Sequence, residues 1–144
     1  MTHAPAIREG DWAELGEDAG EIRRVVFIEE QRVPREEEWD GRDEDCRHFL
    51  AIDNDGKALG TARLLPDGHI GRVAVLKEAR GRGIGLALMD AAIASARRRG
   101  DPCVALSAQV HALAFYERLG FRVHGDTFLD AGIPHRNMTL TLRD

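Results

Sequence analysis

Apolar and polar positions along this chain change period several times, and each change marks an element. His48-Phe49-Leu50-Ala51-Ile52-Asp53 and the run from Ala58 to Leu65 are short and apolar, the pattern of strands. Asn54-Asp55-Gly56 between them has the composition of a tight turn, so the pair predicts a hairpin. Pro66-Asp67-Gly68 is a second turn, and Ile70-Gly71-Arg72-Val73-Ala74-Val75-Leu76 reads as the next strand. Then the period becomes helical. Over an alanine-rich segment from Leu86 to Arg99, Ile84, Leu88, Ala91 and Ala92 fall on one face, with Met89, Ile93 and Ala96 beside them. Arg97-Arg98-Arg99 sits at the negative end of that helix, and Gly100 suits its stop. Pro102 to Ala108 is another near-continuous apolar run. Strand, helix, strand predicts a parallel crossover. Two neighbouring strands buried on both faces would show such runs, and Cys103 is expected in the core.

The flanks are shorter. Ala6-Ile7-Arg8 predicts a first strand. Glu21 to Gln31 predicts a helix with Ile22, Val25, Val26 and Phe27 on its buried side, ended by Val33-Pro34. His111 to Leu119 predicts a short helix stopped by Gly120, followed by a strand from Phe121. Asn137 to Leu142 alternates, and predicts a final strand antiparallel to it.

Composition narrows the class. The 144 residues suit one domain with one core, spanning 1–144. With 43% apolar and 31% charged residues, a soluble globular protein is expected. No apolar run approaches the roughly 20 residues of a membrane span. Met1-Thr2-His3-Ala4-Pro5 has neither a basic start nor an apolar stretch, so no secretory signal is expected. Cys46 and Cys103 make no disulfide framework, and Cys46-x-His48 lacks the second pair a metal site needs. A cytoplasmic protein without a metal is the expectation. A net charge of −5 argues against a nucleic-acid surface. That charge is uneven, because Glu29 to Asp45 holds nine acids and three arginines. Such a run is either a solvated face or a field that attracts a cationic ligand.

The most informative stretch is Arg80-Gly81-Arg82-Gly83-Ile84-Gly85-Leu86, between a strand and a helix. Glycines let backbone approach a ligand closely, and a helix start offers unpaired N–H groups with a partial positive charge. An anion, above all a phosphate, is the natural guest. The P-loop reading fails for want of Lys-Ser or Lys-Thr, and the dinucleotide fingerprint fails because Leu86 stands at the third glycine position. Arg-x-x-Gly-x-Gly, from Arg80, Gly83 and Gly85, remains.

That pattern resembles the acetyl-CoA loop of the GCN5-related N-acetyltransferase (GNAT) family. Ala112-x-x-Phe115-Tyr116-x-x-Leu119-Gly120-Phe121 resembles the same family's helix beside the CoA arm and its following strand. Arg24-x-x-Phe27-x-x-Glu30-Gln31-x-Val33-Pro34, Asp40-x-x-Asp43, His48 and Ala131-Gly132-Ile133-Pro134-His135 resemble the ElaA-like and YjcF-like branch. The resemblance covers most of the chain and implies an α/β acyl-CoA N-acyltransferase fold, with a mixed, mostly antiparallel sheet and helices on both faces.

It also implies roles. N–H groups of Gly81, Arg82, Gly83, Ile84, Gly85 and Leu86 would face the pyrophosphate. Backbone of Val73, Ala74 and Val75 would pair with the pantetheine arm, with a bulge freeing an N–H for the thioester oxygen; Gly71 could ease such a distortion. Tyr116 would be the general acid for the departing thiolate. The central strand carries no acid, so the usual base is missing. His48 is a candidate base or acceptor contact, and His69, His111 and His135 are others. An acidic lid would favour a protonated amine, with Asp40 and Asp43 as contacts.

The expected activity is acetyl transfer from acetyl-CoA to a primary amine of a small molecule or peptide, by direct attack. Neither nucleic acid nor membrane is an expected partner, and a homodimer is compatible with the chain. A CoA-binding regulatory or degenerate module is the main rival, and a nucleotide-binding module the weaker one.

Overall fold

The structure is a computed structural model in which residues 5–143 are described; Met1–Ala4, part of the stretch read for a secretory signal, lie outside the described residues. Strand β1 (Ala6–Gly10) leads to helix α1 (Trp12–Arg23), which continues as a π-helical segment over Arg24–Glu30. A one-turn helix α2 (Arg35–Glu38) and a 3₁₀ turn (Asp43–Asp45) precede β2 (Arg47–Ile52), β3 (Ala58–Leu64) and β4 (Ile70–Val75). Helix α3 (Ile84–Arg99), β5 (Cys103–Gln109), α4 (Leu113–Arg118), β6 (Arg122–Asp130) and β7 (Ile133–Thr141) complete the chain.

The long helix begins earlier than its apolar pattern at Glu21 predicts. Asp11 and Glu14 form a reciprocal capping box, in which the Asp11 carboxylate accepts from the Glu14 N–H at 2.9 Å. The sequence signal, Asp-x-x-Glu, is plain once sought. Beyond Arg23 the ladder widens, so that Gln31 donates to Val26 O at 3.0 Å.

Strands β1–β4 form one antiparallel sheet in sequence order, and β5-β7-β6 form a second. The predicted parallel crossover exists, but β4 and β5 touch only at its start. His69 bridges Ala105, where Ala105 N–H donates to Gly68 O at 3.1 Å. Beyond that point the two strands part. Strand β5 alternates between covered and exposed positions, and Cys103 is exposed at its start, not in the core. Its flank lies against no second layer there, and a single covered face suffices for an apolar-looking run.

The first sheet is covered on both faces. Phe49, Ala51, Ala62 and Leu64 pack with Ile84, Leu88, Met89 and Ala92 of α3, while Leu50 packs with Leu15, Ala19 and Ile22 of α1. This is period-two alternation feeding two cores. Strand β3, in the middle, is buried over six of its seven residues.

Strand β4 breaks the alternation. Gly71 pairs with Arg63 and Ala74 with Thr61, so Arg72 and Val73 together oppose Ala62. That is a β-bulge, and Arg72 takes a left-handed φ of 50° within it. Ile70 packs toward α3, yet Ala74 and Leu76 pack toward α1. In a regular strand these even-numbered residues would share a face.

Candidate active site

A cleft of about 790 Å³ opens where β4 and β5 diverge. Its walls come from Val26, Phe27 and Glu30 of the π-helical segment, Ile70–Val75 of β4, Leu106–Gln109 of β5, and Phe115 and Tyr116 of α4. Asp130 and His135, from either side of the β6–β7 turn, close it at one end.

The glycine loop follows the cleft wall: Arg80 lines the cleft, and residues 81–86 continue from it outside the lining. Gly81 and Gly83 have left-handed φ angles of 79° and 77°, and a Cβ on either would meet no atom within 4 Å. Gly83 is the N-cap of α3 and supplies no side-chain cap. The loop therefore presents bare backbone and an uncapped helix start, the features an anion site requires. Leu86 and Arg82 are exposed, and Arg82 makes no hydrogen bond or ion pair among the described residues. Arg80, also exposed, is tied down, donating to Val75 O and pairing with Glu30 through two bonds of 2.6 and 2.7 Å. A Cβ at Gly85 would lie 3.7 Å from the Phe115 ring, which brings the start of α3 against α4.

Tyr116 is half-buried beside that contact, edge-on to Phe115 and Phe121, and lines the cleft. Its hydroxyl has no partner among the described residues, and burial pushes its pKa up. At neutral pH it therefore holds its proton.

The acidic segment is arranged differently from a lid of free carboxylates. Arg23 is 1% exposed and bonds Glu38 at 2.5 Å and Asp43 at 2.7 Å. Arg63 also bonds Asp43, at 3.0 Å, and pairs with Asp40. Arg72, from the bulge, donates to the Glu38 carbonyl at 3.0 Å and lies 3.5 Å from Asp40. Hydrogen bonding from Arg63 holds the Asp40 carboxyl well below its usual range. Burial opposes ionisation at Asp43, but its bonds from Arg23 and Arg63 prevail and its pKa is also lowered. Neither aspartate lines the cleft; Asp43, buried, and Asp40, partly exposed, are held in an ion network instead. Sequence inspection missed Arg23, Arg63 and Arg72; an arginine inside each of two apolar strands was the available sign.

His48 likewise sits outside the cleft. It is 1% exposed, tilted against the Trp12 ring at 4.9 Å between centroids, with Nε2 at 2.8 Å from the Asp43 carbonyl. Burial lowers its pKa. Both facts place it in the core beneath the ion network, away from any acceptor. His69, His111 and His135 do line the cleft. Among the described residues, no group of three or more His, Cys, Asp or Glu side chains is placed to hold a metal.

Residues 19–142 match the family profile described as an acetyltransferase (GNAT) domain. The chain belongs to the GNAT acetyltransferase family. Within it, the uncharacterized N-acetyltransferase YjcF of Bacillus subtilis is 39% identical over 125 residues, which cover 84% of this chain and 89% of that protein. The crystal structure of an acyl-CoA N-acyltransferase from Pseudomonas aeruginosa matches with a TM-score of 0.85 at 34% identity, covering 96% of this chain and 100% of that one. Escherichia coli ElaA matches with a TM-score of 0.84 at 30% identity, over 94% and 99% of the two chains. The GNAT fold and its ElaA/YjcF-like branch, expected from the motifs, are thus found. The bulge at Arg72–Val73 is a feature the resemblance implied without fixing its position.

Proposed function

We propose that this GNAT protein transfers an acetyl group from acetyl-CoA to a primary amine of a small molecule or peptide, by direct attack in a ternary complex. The observation that carries the reading is the uncapped glycine loop at the start of α3, continuing from the wall of a cleft between parted strands.

N–H groups of residues 81–86 would hold the pyrophosphate, and the β4 edge at Val73, Ala74 and Val75 would pair with the amide-rich arm. When bound there, acetyl-CoA supplies an activated acyl group and a thiol leaving group. The bulge at Arg72–Val73 takes β4 backbone out of its ladder with β3, which suits an N–H donor to the thioester oxygen. Tyr116 would donate its proton to the leaving sulfur, and its raised pKa keeps that proton available.

Acceptor preference rests on fewer charges than the sequence suggests. Glu30 and Glu38 are paired with arginines, whereas Glu37 and Asp130 line the cleft without an ion pair among the described residues. These two carboxylates would draw a cationic amine toward the thioester.

The test is acetyl-CoA-dependent thiol release across a panel of cationic, neutral and anionic amines, with product identified by mass. Turnover of cationic amines is the expected result. Tight acetyl-CoA binding with no turnover of any amine would instead support a binding module, a reading favoured by the absence of an acid on β4.

A further inference from the structure

Four histidines compete for the role of base, and the structure separates them by which ring nitrogen is free and how firmly the ring is held. His48 lies outside the cleft, with Nε2 occupied. His69 and His111 are exposed, and each is tied only to a neighbour two residues away, Asp67 and Gln109. His135 differs. It lies on β7, the central strand of the second sheet, and is 9% exposed. Its ring stacks on Phe128 of β6, with centroids 6.0 Å apart and planes inclined by 26°.

Its hydrogen bonding fixes the tautomer. Nδ1 lies 2.7 Å from the Ile133 carbonyl. A carbonyl oxygen can only accept, so Nδ1 must carry the hydrogen, and in the neutral ring Nε2 keeps its lone pair. Nε2 has no partner among the described residues and is not sealed from solvent, while the residue lines the cleft that also contains Tyr116. The bond to Ile133 and the stack on Phe128 use one nitrogen and one face of the ring, and leave the Nε2 lone pair to the cleft.

We infer that His135 is the general base, taking the amine proton at Nε2, directly or through one water. The inference rests on the acetyl-transfer reading above. As the amine nitrogen forms its bond to the acyl carbon, the C–S bond breaks with its electron pair on sulfur. The proton from nitrogen goes to His135, and the thiolate receives one from Tyr116. The Ile133 carbonyl stabilises the imidazolium by remaining hydrogen-bonded to Nδ1–H, and the stacked Phe128 keeps the ring from turning. The charged and titratable groups on the elements packed against His135 are Asp130, Asp126, His124 and Arg122 on β6, Cys103 at the far end of β5 and His111 in the turn after it, with Arg136 its neighbour on β7.

The experiment compares wild type, His135→Gln, His135→Ala, His69→Gln and His111→Gln. Read-outs are kcat/KM for the amine against pH, acetyl-CoA affinity by calorimetry, and rescue by free imidazole. His135→Gln should lower kcat/KM by about 10²-fold or more, the scale for losing a positioned base. Its pH–rate profile should lose one proton's slope on the acid side, and acetyl-CoA affinity should stay within twofold. Imidazole should restore part of the His135→Ala rate. The assignment is overturned if His135→Gln keeps its rate and acid limb, or if His69→Gln or His111→Gln carries the loss instead. Should both His135 variants fail to fold, a wild-type profile with no one-proton acid limb beyond the amine's own titration overturns it, and such a limb supports it. A wild type that binds acetyl-CoA and turns over no amine overturns the transferase reading, and the base falls with it.

Discussion

Two polar regions border the cleft, and they end up opposite in character. Segment Glu29–Asp45 carries six excess negative charges in sequence. In the fold it meets five arginines from outside itself, Arg23, Arg24, Arg63, Arg72 and Arg80, so most of its charge is matched within a few ångströms. The loop Arg80–Gly85 carries no such partners at Gly81, Arg82 and Gly83, and its backbone stands open. One region is built to hold itself together and the other to hold something else. A charge run in sequence therefore predicts a field only once its counter-charges are located.

The sharpest way to break the contrast is to remove the arginine at the heart of the network. Arg23→Met should leave Glu38 and Asp43 buried without their shared cation, costing about 3–5 kcal/mol in a denaturant titration. A loss under about 1 kcal/mol would mean the network is peripheral to stability. On the other side, Gly83→Asp should fold but bind acetyl-CoA at least ~100-fold more weakly by calorimetry, about 2.7 kcal/mol. It sets a carboxylate and a strained positive φ where the pyrophosphate is proposed to sit. Unchanged affinity in a folded Gly83→Asp protein would remove the loop from the site.

Tyr116→Phe tests the neighbouring wall. It should lower kcat about 10²-fold while leaving acetyl-CoA affinity within twofold. Retention of full activity would leave Tyr116 as a packing residue. The smallest effect concerns acid sensitivity. The Asp40 and Asp43 carboxyls are depressed in the fold, so their contribution is present above the unfolded value of about 3.9 and lost as pH falls further. Thermal stability should be level above about pH 5 and decline below about pH 4, less steeply in Asp40→Asn. An identical acid decline in that variant would show that other carboxylates govern it.

Local pattern was enough for much of the fold. Ile84, Leu88, Met89 and Ala92 face one core, as helical spacing predicts, and the hairpin at Asn54-Asp55-Gly56 joins β2 to β3. The glycine loop was legible because its chemistry is backbone and contiguous. What escaped was long-range. Asp40 and Asp43 look like free acids until Arg63 is brought up from 20 or more residues away. Cys103 looks like core until β5 is seen to alternate between covered and exposed positions from its first residue. The π-helical turn at Arg24–Glu30 has an apolar pattern close to that of an ordinary helix, and only its wider ladder distinguishes it.

The bulge at Arg72–Val73 sets a reading frame for the chain. Upstream, Ile70 addresses the core under α3; downstream, Ala74 and Leu76 address the core under α1. Deleting one of the two residues would restore a regular pleat and leave every following side chain of β4 facing its present layer, because the pairs Thr61–Ala74 and Gly60–Val75 are kept. Such a deletion would remove the left-handed backbone of the bulge and return that stretch of β4 to its ladder with β3. The bulge is thus an inserted letter that the sheet reads past: its removal would spare both cores and erase the departure from the ladder in the cleft wall.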